Sequence, residues 1–281
     1  MTRRVRSCAP LCLLFAGVTL FPSHQALGQQ DAGKTNGPSK YLFLSNVELK
    51  PEQGFAYAKV QGDQVQAERT AKAPSHYLGM WSITGAEHVL YMHGFDAFGD
   101  LQKDHEAMWA MPKLLEAMKT TSAAQAGSVA AEHSSIYSFE KDLSLNADLD
   151  ISKMRFMRIF LLHVKSGHNE EFRHLAKLFV KGYQSTIPDA HWAMFQKAYG
   201  VDSDKTYILV TPMASLSDVD AMNAGDKKFT DGVGEDQLAI LFKGLDAAVE
   251  STETDLFAFD PQLSYVPDSW LTSSPDFWGK K

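Results

Sequence analysis

Apolar and polar residues alternate over short runs of this chain, and stretches with helical spacing separate them. Tyr41–Leu49, with Leu42, Phe43, Leu44 and Val47, reads as a strand. Lys50-Pro51-Glu52 opens a helix that carries Phe55, Ala58 and Val65 and closes at Pro74. His76 to Ile83 and Glu87 to Phe95 read as strands joined by a turn at Gly85. Asp96 or Asp100 caps a helix reaching Met111, and a second helix runs from Leu114 to about Ala130. Ser134 to Glu140 is a fourth strand.

The order then starts again. Arg155 to Val164 is a strand, and Asn169 opens a helix with Phe172, Leu175, Leu178 and Phe179 at i, i+3, i+4 spacing. Strands follow at His191–Tyr199 and Lys205–Thr211, around a turn at Gly200–Asp204. Ser215 or Ser217 caps a short helix to Met222, Gln237–Val249 is a further helix, and Asp255–Phe259 is the last strand. Individual residues echo as well. His76-Tyr77 answers to His191-Trp192, Gly85 to Gly200, and Val47 and Phe55 to Val164 and Phe172. Phe139-Glu140-x-x-Leu143-Ser144 answers to Phe259-Asp260-x-x-Leu263-Ser264. Such an echo marks a duplicated structural unit.

Each copy reads β-α-β-β-α-β, the ferredoxin-like arrangement of an antiparallel sheet with helices on one face. The expected class is α+β: two tandem ferredoxin-like units packed sheet to sheet as an intrachain α+β barrel. Element order, duplication and strand-end patterns resemble the dimeric α+β barrel superfamily, which includes antibiotic-biosynthesis-type monooxygenases, NIPSNAP and EthD-like proteins, and chlorite dismutase relatives. The resemblance spans nearly all of the chain after residue 39. It implies a small-molecule ligand between the two sheets, with a cofactor-free monooxygenase-like activity as one outcome. Haem binding on a chlorite-dismutase-like plan and a non-catalytic structural or interaction role are the alternatives.

The ends change the picture. Arg3, Arg4 and Arg6, an apolar run from Leu11 to Phe21, and Ala26-Leu27-Gly28 read as a secretory signal peptide over residues 1–28. A disordered leader is expected at 29–39, the first unit at 40–145, a linker at 146–153, the second unit at 154–266, and an extended tail at 267–281 in which Trp270, Phe277 and Trp278 pack back on the body. Cleavage after Gly28 implies a secreted or periplasmic protein. It removes both cysteines, Cys8 and Cys12, so the processed chain has no thiol or disulfide. It also removes three arginines and no acid, taking the net charge from −7 to −10. So acidic a chain, without a Lys/Arg cluster, is not built for nucleic acid or anionic membranes. No later segment has the length and apolarity of a membrane span. Duplication supplies both halves of the barrel in one chain, so the expected state is a monomer or homodimer.

Alternation places Asn46 with Leu42 and Leu44, and His163 with Ile159 and Leu161, on the sheet face away from the helices. The superfamily resemblance implies that Asn46 holds a substrate oxygen, Trp81 walls the pocket and His105 carries protons or binds haem. His163 and His191 compete with His105 for that last role. Trp109 lies one helical turn from His105. Tyr91 and His93 share a face of the third strand, and His191 and His76 open equivalent strands. Asn46, His105 and His163 are therefore the catalytic candidates, and Trp81, Tyr91, His93, Trp109 and His191 the ligand-binding ones. No metal site and no cofactor are expected, haem being the alternative. No His-x3-His pair, Gly-x-Ser-x-Gly elbow or phosphate-binding loop occurs.

Overall fold

The computed structural model describes residues 37–279; the expected signal peptide and most of the leader lie outside them. Alternation along strand β1 (Tyr41–Leu49) sends Leu44 to one core and Val47 and Leu49 to another. The same sorting repeats on β2 (Leu78–Ser82), β3 (His88–Phe95), β4 (Val129–Phe139), β5 (Phe156–Val164), β6 (Ala193–Tyr199), β7 (Thr206–Met213) and β8 (Val249–Phe259). All pairings are antiparallel, and the strands close in the order β1-β3-β2-β8-β5-β7-β6-β4. Each half is thus a ferredoxin-like sheet, β4-β1-β3-β2 or β8-β5-β7-β6. The halves also join edge to edge: Met80 sits opposite Phe259 between β2 and β8, and Phe139 opposite Phe195 between β4 and β6. The seams are short: residues 129–135 of β4 and 249–255 of β8 pair with a strand on one side only.

Inward-facing Leu44, Met80, Leu90, Ile159, Phe195 and Phe257 belong to one core. Helices cover the outer faces: α1 (Gly54–Ala71), α2 (Phe98–Trp109) and α3 (Pro112–Gln125) in the first half, α4 (Asn169–Thr186), α5 (Ser217–Val233) and α6 (Glu235–Ala248) in the second. Several elements depart from the pattern reading. β4 and β8 begin earlier than expected: their first residues, small and partly exposed in β4 and mostly polar and exposed in β8, lack an apolar alternation but still pair with β1 and β5. α5 runs on to Val233 and breaks at Gly234, whose φ of +87° suits glycine. Neither Asp96 nor Asp100 caps α2; Asp96 accepts from the Lys40 backbone instead. The tail is helical rather than extended, as α7 (Asp268–Ser273) and α8 (Pro275–Trp278). Its Trp278 is 2% exposed within the inner core and donates to Ser152 O at 2.8 Å.

The duplication has a sharper register than the residue echoes suggested. Tyr41–Leu49 superposes on Phe156–Val164 and Gly54–Ala71 on Asn169–Thr186, both at an offset of 115. β3 maps onto β7 at 118, and β4 onto β8 at 120. Tyr57 (3% exposed), not Phe55 (96%), is therefore the counterpart of Phe172, and Val47 matches Leu162. Asn46 matches Leu161, and His163 matches Glu48, because the bulge after His163 coincides with the one after Glu48.

The 139–144 and 259–264 echo lies at the two seams. Ser144 Oγ accepts from Met194 N at 2.9 Å and donates to Glu140 O at 2.8 Å. Ser264 Oγ accepts from Gly79 N at 2.9 Å and donates to Asp260 O at 2.6 Å. Each serine ends one half and bonds a strand of the other, so the motif is kept twice because the barrel has two seams.

Candidate functional site

The outer faces of the two halves are filled differently. In the first, α1 turns a polar side toward the sheet. Tyr77 Oη donates to Glu68 at 2.6 Å, Gln61 donates to Tyr77 at 3.1 Å, and Gln125 donates to Gln61 at 2.8 Å. Tyr57 and Tyr91 share a hydrogen bond of 2.9 Å. These bonds satisfy polar groups that would otherwise be costly to bury. Burial pushes the Glu68 carboxyl up despite the donors it meets, and holds the Tyr77 hydroxyl well above the usual range.

At the matching positions the second half carries Ala176 for Gln61, Phe179 for Gln64, Tyr183 for Glu68, Trp192 for Tyr77 and Leu209 for Tyr91. The polar network is gone, and Ala176 and Thr211 are smaller than Gln61 and His93. A cavity of about 630 Å³ opens between the sheet and helices α4 and α5. Phe160, Phe172, Phe179, Met194, Leu209 and Met222 are among its apolar walls. Thr211 and Thr254 flank the floor, and Asp189, Asp218 and Asp226 also line it.

One charged group rises from the floor strand. Arg158 shares its face with Phe160 and Leu162, at the position that Phe43 holds in the first half. Its Nε is buried and meets no acceptor. Among the described residues no carboxylate lies within ion-pairing distance of it. The nearby acids already hold other donors: Asp226 accepts from Tyr183 Oη at 3.0 Å, and Asp218 from the backbone of Ala214 at 2.9 Å. Burial, then the Asp226 charge, pushes the Tyr183 hydroxyl up to about 12, so it stays a donor at neutral pH.

The residues singled out from sequence are spread over the molecule. Asn46 is on the inner face opposite Leu90 and His133, half-buried, with Oδ1 buried and unpartnered. His163 is also on the inner face, its Nδ1 3.4 Å from Thr206 Oγ1. Trp81 faces outward, and its indole donates to Asp260 at 2.7 Å, so it does not wall the barrel interior. His105 and Trp109 sit on exposed α2, where the Trp109 indole donates to His105 Nε2 at 2.7 Å. Asn46, Trp81 and His105 are therefore not brought together. Tyr91 and His93 lie under the first-half helices, where His93 Nδ1 donates to His76 O at 2.7 Å and Nε2 is buried without a partner. Of the whole set, only His191 lines the cavity. The cavity itself is on the outer face, not on the inner face where the ligand was expected. Arg158 was missed, although an arginine in the outward register of Phe160 and Leu162 is a readable signal: charge in an apolar stripe.

Haem fits this cavity poorly. His191 Nε2 donates to Pro212 O at 2.9 Å, so it could hold a haem iron only by giving up that bond. His105 and His163 do not line the cavity. Among the described residues, no cluster of three or more His, Cys, Asp or Glu has metal-binding geometry, and no helix is long and apolar enough to cross a membrane.

No family model and no curated protein matches the chain. Solved structures do. A candidate monooxygenase from Fusobacterium nucleatum aligns over 79% of this chain and 93% of its own, at 12% identity and a TM-score of 0.51. A candidate chlorite dismutase aligns over 79% and 96%, at 10% identity and 0.48. A haem-binding protein from Thermus thermophilus aligns over 79% and 91%, at 10% identity and 0.42. The eight-stranded closure and the first of these likenesses show the fold: α+β, two ferredoxin-like halves closed into one antiparallel barrel.

Proposed function

We propose that this protein binds a small, largely apolar molecule in the second-half cavity, between the sheet and helices α4 and α5. The observation that carries this reading is the asymmetry of the duplication. One half packs a hydrogen-bonded polar network under its helices, and the other keeps about 630 Å³ of mostly apolar-walled space there. A cavity of this size with mostly apolar walls suits a small, largely apolar ligand. The Fusobacterium protein's name makes oxygenation of the bound molecule the turnover to assay, by oxygen uptake.

The test is a ligand panel read by calorimetry on the wild type and on Ala176→Phe, which pushes a ring into the cavity. Apolar ligands are expected to bind the wild type and to lose affinity in the variant. Equal binding by both would place the ligand elsewhere. A Soret band on adding hemin, abolished by His191→Ala, would replace this reading with haem binding.

A further inference from the structure

We infer that the cavity's occupant is an amphipathic monocarboxylate: an apolar body, aliphatic or aromatic, ending in one carboxylate that pairs with Arg158. The inference rests on the cavity reading above and adds the class of ligand.

Three observations converge on it. First, Arg158 Nε is desolvated without an acceptor, and no protein carboxylate among the described residues reaches the guanidinium. The residue as a whole is half-buried, and the missing acceptor is at Nε. An anion would supply that acceptor, and a carboxylate matches the forked donors of a guanidinium in two parallel bonds. Second, the space beside it is bounded by Phe160, Phe172, Phe179 and Leu209, surfaces that favour a hydrocarbon or ring over further charge. Third, the other charges set the number of anionic groups at one. Asp218 is held by backbone N–H groups and Asp226 by Tyr183, while Asp189 is exposed beside Pro188. These acids do not neutralise Arg158, and they oppose a second negative group. A dicarboxylate or a phosphate monoester therefore fits worse than a monoacid. His191, the remaining titratable wall group besides Tyr183, is tied to Pro212 O. The first half has Phe43 where Arg158 stands, so the charge belongs to the half that keeps the cavity.

Calorimetric titrations compare 2-naphthoate with 2-naphthamide and decanoate with decanamide, pairs alike in shape and different in charge. The wild type is expected to bind an acid of at least one pair about tenfold or more tightly than its amide. Arg158→Met should reduce the acid to the level of the amide and leave the amide unchanged. Arg158→Lys should keep part of the preference, and thermal melts of both variants establish that they fold. Sebacate should bind more weakly than decanoate. Equal affinity for acid and amide in the wild type, or a preference that survives Arg158→Met, overturns the monocarboxylate inference while the cavity reading stands. Failure of every acid and amide to bind, or binding that Ala176→Phe does not weaken, overturns the cavity reading as well.

Discussion

Ser264 Oγ accepts a hydrogen bond from Gly79 N at 2.9 Å across the β8–β2 seam, and Leu263, beside it, is fully buried. A side chain on Gly79 would drive its Cβ into the Leu263 carbonyl oxygen, so the seam requires glycine there. Ser264→Ala is expected to cost about 1 kcal/mol and Ser144→Ala a similar amount, since each leaves a backbone N–H without its acceptor. Gly79→Ala should cost more, about 3 kcal/mol, because backbone must shift. Urea unfolding of the three variants checks the order; a neutral Gly79→Ala would contradict the seam.

The Glu68 carboxyl is held above its usual range by burial, against the pull of Tyr77 and Gln64. The folded protein therefore binds this proton more tightly than the unfolded chain. The stability it contributes is full below the ordinary value of 4.5 and is lost as pH rises through the raised folded value. Glu68→Gln keeps an acceptor for Tyr77 and removes the charge. Its stability should rise relative to wild type with increasing pH above 4.5, measured as the difference in urea midpoint. Parallel curves would mean that Glu68 titrates normally.

Trp278 fills the inner core from the tail, with Phe277 against it and the Arg155 guanidinium 4.1 Å from the Phe277 ring. Trp278→Ala removes a buried ring and its bond to Ser152 and should cost about 3–5 kcal/mol. Removing residues 268–281 should lower the melting temperature further. A truncated chain as stable as the full one would show the tail to be dispensable.

Export is the remaining proposal. Expressed from its own start, the protein should be recovered outside the cytoplasm with Gln29 as its first residue. Intact mass and N-terminal sequencing decide this, and retention of Met1 in the recovered protein would refute cleavage.

What the sequence by itself determined is the order and kind of the barrel's strands and covering helices, the duplication, and the inner and outer face of the strands. Apolar periodicity and turn residues are local, and they record which side of each element leaves water. They carried Tyr41–Leu49, the buried side of α4, and the placing of Asn46 and His163 on the inner face. Only the tertiary structure decided which edges pair, because the β2–β8 and β4–β6 seams join residues far apart in the chain. The same closure set the true register, in which Asn46 answers to Leu161 and Tyr57 to Phe172, since bulges and turn insertions shift the offset without altering the pattern. The tail's role also waited on the fold, as Trp278 finds its burial only against a closed barrel. The cavity was hidden for a further reason. It is volume left unfilled where Ala176 and Thr211 stand for Gln61 and His93, and missing volume shows only when three elements are brought together. Arg158 was visible as a charge in an apolar stripe; that it lacks a partner is a fact of three dimensions.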